Sequence, residues 1–222
     1  FNKCDIMLST EQAEKFVKLY EFLVEYNKNV NLTAITDFEG VVVKHFIDSV
    51  LPFSMIDIEE NSSFIDVGTG AGFPSIPLMI VRPDLKCTML EALNKRCVFL
   101  EKACELVGIK ATVVHGRAED YAKEKREYFD FATARAVAAM PVLSEYCMPY
   151  VKVGGRFIAL KSVNEETDQS ENAVKTLGGK VAEVKDYTIT NGDNRRLFII
   201  NKISHTPTKY PRNPSIIKKK PL

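Results

Sequence analysis

The chain has little of what builds metal or disulfide sites. Its five cysteines (Cys4, Cys87, Cys97, Cys104 and Cys147) are odd in number, scattered and never spaced Cys-x-x-Cys. That argues against a disulfide framework and a zinc cluster, and the expectation is buried free thiols. The three histidines, His45, His115 and His205, lie far apart, so no metal site is expected. No apolar run reaches the roughly 18 residues that span a bilayer. The first residues carry Asp5, Glu11 and Glu14 in place of the basic and then apolar segments of a secretion signal. We expect a cytoplasmic protein without membrane contact. There is no internal repeat, and low complexity is confined to the end, "HTPTKYPRNPSIIKKKPL".

What is present is a chain of 222 residues with 45% hydrophobic content, enough for one large α/β domain or a domain with an appendage. The net charge of +1 hides an uneven distribution. Residues 1–60 hold 5 basic and 11 acidic side chains, whereas residues 202–222 hold 6 basic and none acidic. A basic tail suits a polyanionic partner, and it suits a solubilising terminus equally well.

Hydrophobic spacing divides the chain further. Ser9 with Gln12 reads as a capping box, followed by helical spacing of Ala13, Phe16, Val17, Tyr20, Leu23 and Val24. A second helix is expected from about Glu39 to Val50, stopped by Pro52. Residues 1–60 therefore read as an N-terminal helical cap. From residue 63 the pattern alternates. Strands are expected at 63–67, 86–90, 111–115, 129–133 and 156–160, and helices near 75–81, 94–107, 118–126, 140–150 and 164–177. Such a series implies an α/β fold with a parallel sheet covered on both faces. "VAEVKDYTI" and "RRLFIINKI" flank "TNGDN" with no helix between them, so the sheet should end in an antiparallel hairpin. The expected organisation is a cap (1–60), a main domain (61–203) and a basic Pro/Lys-rich tail (204–222).

The stretch "FIDVGTGAGFP", 64–74, sets Gly68, Gly70 and Gly72 at alternate positions after a strand. Glycines there can take positive φ and let a ligand approach the backbone. A dinucleotide loop would need its third glycine one place later. Here that place is Phe73, so a nucleoside without a pyrophosphate fits better. Glu91 closes the second strand 23 residues after Gly68, where a carboxylate can accept from ribose hydroxyls. Ala118 and Glu119, in "HGRAED", offer adenine a small wall and a polar contact. S-adenosylmethionine needs such a set.

"NLTAITD" (31–37), "KHFIDS" (44–49), "DVGTGAGFPSIPL" (66–78), "LNKRCVFLEK" (93–102), "RAED" (117–120), "TARAVA" (133–138), "ALKS" (159–162) and "KYPRNP" (209–214) together resemble the glucose-inhibited division protein B family of small-subunit ribosomal RNA methyltransferases. The resemblance implies a class I, Rossmann-like methyltransferase that transfers methyl from S-adenosylmethionine to guanine N7 in 16S rRNA. It also implies cofactor contacts at Gly68, Phe73, Ala118, Glu119 and Arg135. "LEAL" at 90–93 departs from the Asp-Ser usual in the family, although Glu91 keeps a carboxylate.

Guanine N7 carries a lone pair and no proton, so no general base is expected, and alignment supplies most of the rate. Arg135 follows the fourth strand, beside the expected switch point, and is the catalytic candidate. It cannot act as a base, and a bidentate grip on O6 and N7 would occupy the reacting lone pair. Contact with O6, a phosphate or the cofactor is expected instead. The competing structural reading is an ion pair with Asp130 or Glu145. Lys44, His45, Lys95, Arg96, Lys161 and, in the tail, Arg212 are candidate RNA contacts. The expected partner is 16S rRNA or the small ribosomal subunit, bound by a monomer without metal. Rival readings are a methyltransferase of a small molecule or protein, a nicotinamide oxidoreductase, and an RNA-binding module with a relic pocket.

Overall fold

Strand order explains where a ligand can sit. The computed structural model describes residues 1–135, 138–163 and 168–222. Its sheet has seven strands: β1 (Ser63–Val67), β2 (Lys86–Glu91), β3 (Ala111–His115), β4 (Phe129–Arg135), β5 (Val151–Ser162), β6 (Gly179–Thr188) and β7 (Asn194–Lys202). They lie in the order β3-β2-β1-β4-β5-β7-β6. The first five are parallel, and β7 runs antiparallel to both β5 and β6. The order therefore reverses between β1 and β4, which opens a crevice outside their carboxyl ends.

Alternation along the central strands divides the core in two. Phe64, Phe131 and Ile158 face one side, with α1 (Thr10–Val30), α3 (Asp48–Ser54), α4 (Ser75–Val81) and α5 (Asn94–Val107). Their neighbours Ile65, Ala132 and Phe157 face the other, with α6 (Ala118–Glu124), α7 (Met140–Cys147) and α8 (Asp168–Thr176). Adjacent side chains on a strand point to opposite faces, so apolar runs of this kind require cover on both. Phe16, Leu19 and Leu23 of α1 bury into the first core. The capping box at Ser9 and Gln12 starts that helix as expected.

Two elements depart from the sequence reading. The second cap helix does not stop at Pro52. It runs as α2 (Phe38–Val41), a π-helical stretch (Val42–Ile47) and α3, with Pro52 inside α3. Burial of Val50, Leu51 and Phe53 outweighs the backbone bond a proline removes. Strand β5 begins at Val151, not 156, because "VKVGG" pairs back to Phe129 through a register shift. The expected start of α8 at 164 lies outside the described residues.

The end of the chain is folded, contrary to its reading as a low-complexity tail. Arg126 donates to the carbonyls of Thr206, Pro207 and Tyr210. Tyr210 is buried, and Ile217 of α9 (Pro214–Lys219) is fully buried. Composition alone misleads here, since two apolar anchors and one arginine satisfying three carbonyls suffice to dock a polar segment. All five cysteines are free, and four are buried. Burial pushes the Cys87 and Cys147 thiols well above the ordinary value.

Candidate active site

The glycine loop leaves β1 at Val67 and enters α4 at Ser75. Gly68, Gly70 and Gly72 have φ of 73°, 63° and 83°, the left-handed region expected of them. Gly68 and Thr69 donate to the Leu90 carbonyl at 2.9 and 3.2 Å. Glu91, buried at the end of β2, accepts from Gly70 N at 3.0 Å through Oε2 and from Leu93 N at 2.8 Å through Oε1. Glu91 therefore shapes the loop. Gly72 does something else. A Cβ there would collide with Ile76 and come within 3.0 Å of Leu100, so its bareness serves packing beneath the loop.

Asp66 was not singled out from sequence. It is fully buried near the end of β1, takes 2.6 Å from the Ser75 hydroxyl on Oδ2, and leaves Oδ1 without a hydrogen-bond partner. Burial pushes its pKa up to about 6 despite the pull of the Ser75 bond. A carboxylate inside the apolar run "FIDV" was the available signal, because unpaired buried charge is costly and points to function.

On the α7 side of the sheet a cleft of about 360 Å³ opens at the carboxyl ends of β1 to β4. Val67, Gly68, Leu90, Ala92, Ala118 and Val142 supply apolar wall. Glu119, Arg117, Tyr146 and Lys218 supply the polar side chains. Tyr150 holds the start of α6 by donating to the Ala118 carbonyl at 2.6 Å. The size, the apolar lining and the few polar groups suit a small ligand. Asp66, fully buried beneath the loop, does not itself line this cleft.

Arg135 closes a second corner, toward the cap. Its guanidinium lies 5.2 Å from the Phe73 ring centroid and 3.5 Å from Asp48, and it donates to the Lys44 carbonyl at 3.2 Å. Asp48 also receives Arg195 from β7 at 3.1 Å. Neither expected partner is used. Asp130 is held by Ser63 and Lys152, and Glu145 by Arg212. Burial lowers the Arg135 pKa and Asp48 opposes it, so the group remains a cation. His45 stacks on Phe73 with centroids 4.7 Å apart and shares a 2.8 Å bond with Thr33 Oγ1. Burial, and then the Arg135 charge, depress its pKa to about 4.

The structure thus divides the predicted set. Gly68, Ala118 and Glu119 meet in the cleft, Phe73 and Arg135 meet in the cap-side corner, and the loop joins the two. Ala136 and Val137 of "TARAVA" lie outside the described residues. Lys44 and Lys95 are exposed. Arg96 lies 3.7 Å from Glu91. Lys161 donates to the Ala138 carbonyl, and burial lowers its pKa. Two of the candidate RNA contacts have partners within the fold. The depressed pKa of His45 favours its neutral form. Arg212 spends its guanidinium on the fully buried Glu145, with bonds of 2.9, 3.1 and 2.6 Å, and on the Lys220 carbonyl, and is a structural anchor. Asp48, Arg195 and the tail residues lining the cleft were missed because only long-range folding brings them there. Among the described residues no group of three or more His, Cys, Asp or Glu side chains is placed to hold a metal, and no helix is long and apolar enough to cross a membrane.

A parallel sheet with a terminal antiparallel hairpin, and a nucleoside-sized cleft beside a glycine loop, define a class I, S-adenosylmethionine-dependent methyltransferase. Solved structures with this fold include a precorrin-6y C5,15-methyltransferase of Geobacter metallireducens (TM-score 0.51, 14% identity, 67% of this chain and 84% of that one). Another is a chain in the Haloferax volcanii complex containing the Trm112 methyltransferase activator (TM-score 0.61, 13% identity, 83% and 98%). The family model for GidB, rRNA small subunit methyltransferase G, matches residues 12–197, and the chain belongs to that family. It is 49% identical to the ribosomal RNA small subunit methyltransferase G of Clostridium beijerinckii over 98% of this chain and 93% of that protein. It is 47% identical to that of Halalkalibacterium halodurans over 97% and 93%.

Proposed function

We propose that the chain methylates N7 of a guanine in 16S rRNA of the small ribosomal subunit, acting as a monomer in the cytoplasm. The observation that carries this reading is the pairing of a nucleoside-sized cleft with a cation-lined corner in which, among the described residues, no side chain is poised to take a proton. His45 favours its neutral form, with both ring nitrogens engaged, and Asp48 is shared by two arginines. An acceptor that already carries a lone pair and no proton is suited to such a site.

S-adenosylmethionine, when bound, supplies an electrophilic methyl group on a sulfonium. Gly68 and the bare loop admit the ligand to the backbone. Glu91 has lone pairs for ribose hydroxyls while it keeps Gly70 and Leu93 in place. Ala118 and Glu119 form the base-sized slot, and Asp66 underpins the glycine loop through Ser75. Arg135, pre-oriented by Asp48 and Phe73, reaches guanine O6 or a flanking phosphate. Fixed geometry of this kind is the main source of rate when no proton moves in the slow step. Lys44, Lys95, Arg96 and Lys161 contribute RNA backbone contacts, whose strength should fall with salt.

The test is transfer of labelled methyl to small subunits from a strain lacking this enzyme, with free nucleosides and proteins as parallel acceptors. Label recovered as 7-methylguanosine in 16S rRNA is the expected result. Label in a nucleoside or protein instead would overturn the substrate assignment and leave the cofactor site standing.

A further inference from the structure

The C-terminal segment has an unexpected position. Pro214 and Lys218 line the same cleft as Gly68, Ala118 and Glu119, although about 100 residues of sequence separate Lys218 from Glu119. Their placement is built. Glu145 on α7 is fully buried, and its two carboxylate oxygens take the Arg212 backbone N–H at 2.8 Å and the Arg212 guanidinium. Ile217 buries completely one residue before Lys218, and α9 packs on α7. Val142 and Tyr146 of α7 complete the same wall. The charge pattern suits a nucleobase, because Glu119 offers an acceptor while Arg117 and Lys218 offer donors. Adenine presents both an amino donor and acceptor ring nitrogens.

We propose that residues 204–222 belong to the cofactor site: Pro214 and Lys218 form the outer wall of the adenosine cleft, held there by the Glu145–Arg212 pair. This rests on the assignment of the cleft to the adenosyl group. Linkage then makes a requirement. If the docked tail raises cofactor affinity by some factor, the cofactor must stabilise the docked tail by the same factor.

The test is calorimetric titration of the full chain with S-adenosylhomocysteine, paired with hydrogen exchange at the Ile216 and Ile217 amides, which bond to the Asn213 carbonyl at 2.9 and 3.0 Å. Lys218→Ala should weaken binding about fivefold or more, the lower range of such couplings, with the melting temperature of the free protein unchanged. Glu145→Gln should speed exchange at both amides and weaken binding further. In the wild type, saturating ligand should slow that exchange. Ala118→Phe, which fills the cleft from the opposite wall, is the control. If Ala118→Phe binds normally, the cleft assignment fails. If it abolishes binding while Lys218→Ala binds normally and ligand leaves tail exchange unchanged, the tail proposal fails and the cleft assignment survives. Loss of RNA affinity alone in Lys218→Ala would also overturn it. Should Glu145→Gln not fold, the other two measurements decide the question.

Discussion

Gly72 and Gly70 have the same left-handed backbone and opposite surroundings. A methyl group on Gly72 meets Ile76 Cγ1 at 2.7 Å and Leu100 Cδ2 at 3.0 Å, whereas on Gly70 the nearest atom is 4.0 Å away. Gly72→Ala should therefore cost on the order of 2–4 kcal/mol, from overpacking added to left-handed strain. Gly70→Ala should cost only about 1–2 kcal/mol of strain. Denaturant midpoints of the two variants check this, and equal losses would remove the packing role of Gly72. Asp66 is the second residue-scale case. A carboxyl whose folded pKa rises from 3.8 to about 6 holds its proton more tightly when folded, so its contribution to stability falls as pH climbs through that window. Asp66→Asn should stabilise the protein at pH 7 by up to about 3 kcal/mol while weakening cofactor binding. A lower melting temperature with intact binding would contradict both parts.

Between elements, two buried carboxylates join parts of the chain that local pattern could not connect. Asp48 ties α3 to β4 and β7 through Arg135 and Arg195, and Glu145 ties α7 to the tail through Arg212. Removing one partner of such a pair strands a buried charge, which typically costs about 3–5 kcal/mol. Arg212 is partly exposed, so Arg212→Ala should fall near the lower end, about 3 kcal/mol, with the tail becoming protease-sensitive beyond residue 203. A resistant tail in a stably folded variant would show that Tyr210 and Ile217 suffice to hold it. Arg212 also shows why a basic tail is an ambiguous signal, because its composition is the same whether the cation meets RNA or a buried glutamate.

At the scale of the whole molecule, two titrations act in opposite directions between about pH 4.5 and 6. His45, depressed from 6.5 to about 4, takes up a proton more readily when unfolded, so its contribution is present at neutral pH and lost as pH falls. Asp66 contributes more as pH falls through the same range. Wild-type stability should consequently change little from pH 6 to pH 4.5. Asp66→Asn should uncover a decline of about 1–2 kcal/mol over that interval, read from urea midpoints at successive pH values. A flat profile in the variant would mean that His45 titrates near its ordinary value.

Hydrophobic period alone determined much of this protein, because a strand with a fully buried run and a helix with one apolar face announce themselves over a few residues. Strands β1 and β3 and helices α4 and α5 occupy the expected ranges, and the glycine spacing placed the loop at the switch point. Glu91, Ala118 and Glu119 stand out in the sequence because each lies at or just after a strand end in the same α/β rhythm. Tertiary structure decided which charges are available. Asp48 and Arg195 look like ordinary surface residues in sequence, Glu145 and Arg212 suggest other partners there, and only burial beside a distant residue turns all four into anchors. It also decided that the tail folds back onto the cleft, since that depends on where α7 presents Glu145 and on apolar contacts made across the whole domain.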